Sequence, residues 1–124
     1  MKKLDIKNID DKEEIATILI SLGMSRNAAA ALSYLKNSNS ATSIDLERYA
    51  SLRQPEVSIA IKQLKECDWI NECEGKKSGR GRPNKIYSLK LGFNNIIAHF
   101  EDQQSKALDE AKAKIERLKE LGKN

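Results

Sequence analysis

No regular helix can run through Gly75-Lys76-Lys77-Ser78-Gly79-Arg80-Gly81-Arg82-Pro83-Asn84-Lys85. Its glycines are free to leave helical backbone geometry, and its proline carries no N–H to donate. The segments on either side, Trp69-Ile70-Asn71-Glu72-Cys73-Glu74 and Lys85-Ile86-Tyr87-Ser88-Leu89, change to strand-forming residues, so the run predicts a hairpin tip. The chain is therefore divided into a helical region, a hairpin and one further helical region. Charge follows the same division. Residues 75–100 hold six Lys or Arg and no Asp or Glu, whereas the remainder holds sixteen basic and eighteen acidic residues. The formal net charge of +4 is concentrated in one segment, as a docking surface for a polyanion requires.

The region before the hairpin carries several helix signals. Asp10 or Asp11, followed by Lys12-Glu13-Glu14, places acidic groups at a helix start, where the dipole favours them. Ile15, Ile18, Leu19 and Leu22 share a face, and Gly23 ends that helix. Ser25 caps a second helix to about Lys36, in which Ala28 to Ala31 permit close helix packing and Leu32 and Leu35 extend the apolar face. Asn37-Ser38-Asn39-Ser40 forms a polar turn. Thr42 or Ser43 opens a short helix with Ile44, Leu46, Tyr49 and Ala50, and Ser51-Leu52-Arg53 forms a tight turn. The next helix begins at Gln54-Pro55-Glu56, with Pro55 at the first helical position, where a missing N–H costs nothing. Val57, Ala60, Ile61 and Leu64 make its buried stripe, leaving Ser58, Ile59, Lys62 and Lys65 toward solvent. Two short helices joined by such a turn define a helix-turn-helix.

From about Leu91 to Leu121 the pattern is helical again, and a helix of that length spans about 45 Å. Phe93, Ile96, Ile97 and Phe100 make its first half apolar. Leu108, Ala111, Ile115 and Leu118 follow at alternating spacings of three and four, flanked by balanced charge. This predicts a seam (Phe93, Ile97, Phe100, Leu108, Ala111, Ile115, Leu118) that pairs with a second copy of the chain. The alternative is a helix folded back along its own domain.

The composition, 40% apolar and 32% charged, suits a soluble chain. No window approaches eighteen continuous apolar residues, which excludes a membrane-spanning helix, and the N-terminus lacks the apolar core of a signal peptide. Residence in the cytoplasm is the resulting expectation. Cys67 and Cys73 have neither the spacing of a redox pair nor that of a zinc site, and are expected to be ordinary, partly buried thiols; a redox or soft-metal switch is the alternative. His99 is isolated, and the acidic residues at 10–14 are explained by helix capping. There is no phosphate-binding glycine loop before a helix and no nucleophile–base pairing. An enzyme is not expected, nor any cofactor or metal.

The stretch from Ser25 to Leu89 resembles the winged helix-turn-helix domains of prokaryotic transcription regulators of the MarR, TrmB and ArsR-like groupings. The likeness rests on Thr42-Ser43-Ile44-Asp45-Leu46-Glu47-Arg48-Tyr49-Ala50, on Pro55-Glu56-Val57-Ser58-Ile59-Ala60-Ile61-Lys62-Gln63-Leu64, and on Trp69-Ile70 leading into the basic loop. Within that loop Gly79-Arg80-Gly81-Arg82-Pro83 looks like the core of an AT-hook, a short binder of the minor groove. The resemblance implies a mostly α fold with a small β-hairpin, in which a winged helix-turn-helix domain (8–90) precedes a long C-terminal dimerisation helix (91–122).

Carried onto this sequence, the resemblance places Gln54, Glu56, Ser58, Ile59 and Lys62 at the major groove of double-stranded DNA. Gln54 would suit adenine, Glu56 a cytosine amino group and Ile59 a thymine methyl. Lys76, Lys77, Arg80, Arg82 and Lys85 would form the wing contacts, and Arg48, Arg53 and Lys65 would meet phosphate. The expected protein is a homodimeric, sequence-selective transcription regulator with no membrane partner. The alternative is an architectural nucleic-acid binder or a protein-docking winged helix. The sequence assigns no small-molecule effector.

Overall fold

The computed structural model describes residues 3–75 and 85–123, with side chains of the first helix described from residue 11 onward. The elements in chain order are α1 (Lys3–Ser21), α2 (Arg26–Lys36), β1 (Ala41–Thr42), α3 (Ser43–Tyr49), α4 (Gln54–Glu66), β2 (Ile70–Glu74), β3 (Lys85–Leu89) and α5 (Phe93–Gly122). Residues 1–91 and 92–124 form two separate compact units. The fold is mostly helical with one small sheet, as expected.

The first helix starts earlier than its acidic residues suggest, running from Lys3 straight through Asp10 and Asp11. Aspartate inside a helix costs only a few tenths of a kcal/mol, too little to stop one that is otherwise well formed. Its end is where Gly23 places it. The Met24 N–H donates to the Leu19 carbonyl and the Gly23 N–H to that of Ile20, both at 3.0 Å. Gly23 itself sits at φ +110°. These paired bonds with a left-handed residue are a Schellman motif, which satisfies carbonyls that the helix end leaves open. Of the predicted face, Leu19 is buried and Ile15 and Leu22 are partly buried, but Ile18 is half exposed.

Ser25 caps α2 by accepting from the Ala28 N–H at 3.2 Å. The same hydroxyl donates to Gln63 Oε1 at 2.5 Å, tying the start of α2 to α4. Ala28, Ala29 and Ala31 are buried, so α2 can approach both α1 and α4 closely. Buried Ser33 would carry an unmet donor, but its hydroxyl donates to the Lys12 carbonyl of α1 at 2.6 Å. Leu32, Leu35, Leu46 and Leu64 have at most 1% of their surface exposed and form the centre of the first unit with Val57 and Ala60. Each such leucine contributes about 1.5–3 kcal/mol of burial.

Thr42 opens α3 with a complete capping box. Its hydroxyl accepts from the Asp45 N–H at 3.2 Å, while the Asp45 carboxylate accepts from the Thr42 N–H at 3.0 Å. Thr42 also belongs to β1, a strand the sequence did not reveal: Ala41 pairs with Tyr87 and Thr42 with Ile86. The sheet therefore has three strands in the order β1-β3-β2, all antiparallel. A two-residue strand has no alternation to detect, and its partner lies far along the chain.

The second Schellman motif ends α4. Asp68 has φ +64°, its N–H donates to Lys65, and the Trp69 N–H donates to Leu64. Trp69 and Leu64 are both buried, supplying the apolar contact that accompanies this motif. The chain then reverses into β2, whose register with β3 runs from Ile70↔Leu89 to Glu74↔Lys85. Residues 75–84 connect those two strands in the chain, and of the glycine-rich tip predicted at 75–85 residues 76–84 lie outside the described residues.

Candidate nucleic-acid interface

The helix α4 buries Val57, Ala60, Ile61 and Leu64, the same stripe that its periodicity predicts. The opposite face presents Gln54, Ser58, Ile59 and Lys62, all exposed. With about 100° between successive residues, positions 54, 58 and 62 fall on one narrow strip. Ile59, beside them, is 48% exposed. An isoleucine left half in water has apolar area available to a binding partner.

The helix start differs in detail from expectation. Arg53 is the N-cap and Gln54 the first helical residue, so Pro55 occupies the second position rather than the first. Nothing is lost, because the second N–H also lacks an intrahelical acceptor. Glu56 turns back so that its Oε1 accepts from the Arg53 N–H at 2.9 Å. Arginine has no acceptor atom, so this is one half of a capping box. The carboxylate considered for base contact thus has a structural task at the helix start. Arg48 and Arg53 are exposed, and both line a shallow recess with Gln54, between the end of α3 and the start of α4.

A second group gathers where α4 meets the base of the hairpin. Glu72 of β2 reaches Lys65 of α4 with Oε1 at 2.9 Å and Lys85 of β3 with Oε2 at 3.2 Å. Glu72 stands directly across from Tyr87, which brings Lys85 onto its diagonal, within reach of a long side chain. The hydrogen bond from Lys65, helped by that from Lys85, holds the Glu72 carboxyl below its usual range. The same bond raises the Lys65 ammonium above its ordinary value. The groove here is also lined by Ser58 and Lys62 from the exposed strip of α4, and by Ser43 and Glu66. Lys65 and Lys85, expected at phosphate and in the wing, therefore share one carboxylate. Glu72 carried no signal in the sequence, because its neighbours are set by the chain reversal at Asp68.

Lys76, Lys77, Arg80 and Arg82 lie outside the described residues. In α5, Phe100 is buried and Phe93 partly so, while Ile97, Leu108, Ala111, Ile115 and Leu118 are exposed. Both cysteines are exposed, correcting the expectation of partial burial. The Cys67 thiol is nonetheless desolvated enough that, with Glu66 beside it, its pKa is pushed up, away from thiolate reactivity. Among the described residues no three potential ligands gather as a metal site, and no helix is long and apolar enough to cross a membrane.

A helix-turn-helix joined to a three-stranded wing sheet defines the winged helix-turn-helix fold. Solved structures share it. A possible transcriptional regulator from Methanosarcina mazei Go1 superposes with a TM-score of 0.57 at 17% identity, over 83% of this chain and 84% of its own. A MarR family regulator from Neisseria meningitidis superposes with a TM-score of 0.50 at 20% identity, over 98% of this chain and 94% of its own. At such identities the likeness establishes the fold. No protein-family model and no curated protein matches the chain.

Proposed function

We propose that this protein is a dimeric, sequence-selective regulator of transcription that binds double-stranded DNA. In this reading α4 enters the major groove and the basic segment 75–85 lies on the minor groove or the backbone. The observation that carries it is the exposed strip Gln54, Ser58, Ile59 and Lys62 on a helix whose other face is buried. Such a strip offers amide, hydroxyl, methyl and ammonium groups at the reach of base edges and phosphates. The carboxylate-free run of 75–100 supplies the electrostatic footing for a polyanion. Glycines in 75–85 allow close approach to a groove floor, and Arg80 and Arg82 suit the negative potential of a narrow A·T-rich groove.

Selection of bound sequences from a random duplex pool tests the proposal. It is expected to return paired half-sites about 34 Å apart, or a multiple of that spacing. Uniform recovery of all sequences would instead mark an architectural binder. The double variant R80A/R82A is expected to weaken binding and to flatten the slope of affinity against salt by about 2 to 4 per dimer. Unchanged anisotropy titrations at two salt concentrations would remove segment 75–85 from the interface.

A further inference from the structure

The ion-pair cluster beside α4 has a composition unusual for a phosphate-binding surface: its two lysines are already held by a carboxylate. Lys65 and Lys85 come from different elements, and each takes a different oxygen of Glu72, at 2.9 and 3.2 Å. The groove around them opens onto Ser58 and Lys62, on the strip of α4 assigned above to DNA. We infer that Glu72 occupies a phosphate seat, standing between Lys65 and Lys85 where a backbone phosphate of bound DNA would sit. The inference rests on the DNA-binding reading and adds an internal competitor to it.

The chemistry of the exchange is simple. A phosphate presents anionic oxygens to the ammonium groups much as a carboxylate does, so either group can satisfy the same pair of lysines. With Glu72 in place, the three side chains carry a net charge of one rather than two. Glu72 remains ionised at neutral pH, since both lysines favour its charged form. Glu66 at the same groove, and Glu74 opposite Lys85 on β2, further lower the local potential. Docked DNA must displace Glu72 and then remain close to it. Glu72 thus weakens the sequence-independent part of binding while leaving base contacts untouched, so it lowers affinity for cognate and random duplexes alike and leaves their ratio unchanged.

The test compares wild type, E72Q, E72S and E72D by fluorescence anisotropy on a selected duplex and on a random one, across a salt series. Removing the charge with E72Q is expected to tighten binding to both duplexes by about threefold to tenfold at 0.1 M salt. The slope of log affinity against log salt should steepen by about 1 per protomer. E72S should reproduce the gain, E72D should match wild type, and adding K65Q and K85Q to E72Q should abolish it. Thermal unfolding of each variant identifies those that retain the fold. If folded E72Q and E72S bind no more tightly than wild type, or more weakly, Glu72 is a staple between α4 and the hairpin and the inference fails. That outcome leaves the DNA-binding reading intact. If wild type binds no duplex, the reading itself falls and the inference with it.

Discussion

Glu72 links three elements through two lysines, and its ionisation should be visible in stability as well as in binding. Its carboxyl is depressed below the ordinary value of 4.5 in the folded chain. The stability it contributes is therefore present above that value and is lost as pH falls through the lower, folded pKa. Lys65 is raised above 10.5, so its share is present below that pH and disappears as pH rises through the higher, folded pKa. Wild type is expected to unfold at a slightly higher urea concentration than E72Q near neutral pH. The two should converge below the folded pKa of Glu72, as urea midpoints measured across pH will report. A constant offset through the acid range would show that the charge itself is not responsible. The side chains are solvated, so the margin is small. Stability and affinity should thus move in opposite directions in E72Q.

Among the elements, α4 is the clearest in the sequence because its apolar residues return with the period of a helix and stay in one stripe. Val57, Ala60, Ile61 and Leu64 are buried as that period requires. The exposed strip of the candidate site follows from the same pattern by subtraction. The start of α1 was not legible, because an aspartate that caps a helix looks the same as one carried inside it. Neither β1 nor the partners of Glu72 could be found locally. Both depend on segments brought together by turns at Ser51 and Asp68, where non-glycine residues adopt φ of +58° and +64°. Helix ends offer a direct comparison of two glycines. A β-carbon at Gly23 or at Gly122 would meet nothing within 4 Å, so space does not distinguish them. Conformation does: Gly23 lies at φ +110°, whereas Gly122 belongs to α5. Gly23→Ala is expected to cost about 1–2 kcal/mol. Gly122→Ala should be neutral or stabilising by a few tenths of a kcal/mol. Chemical denaturation of the two variants decides the point.

For the whole molecule, the exposed residues of α5 bear on how many chains act together. Leu108, Ile115 and Leu118 are each more than half exposed along a helix of 30 residues. Charged neighbours on the same helix pair with one another, as Lys106 does with Asp102 at 3.3 Å and Arg117 with Glu120 at 3.1 Å. We propose that this apolar seam joins two copies of the chain. The double substitution L108E/I115E should shift the protein to monomers in analytical ultracentrifugation, and weaken DNA binding by about 100-fold through loss of the second half-site. Retention of a dimer would place the interface elsewhere.

The pairing of Ala41 with Tyr87 also joins distant parts of the chain. Roughly 45 residues separate the partners, so closing this contact carries an entropic cost that local helices do not. The helices up to Glu66 can condense first. The central strand is the last of the three in chain order, and Thr42 of its outer neighbour also caps α3. A nascent chain still lacking Tyr87 therefore leaves the edge of β1 unpaired, and the sheet is completed only once residues 85–89 have emerged.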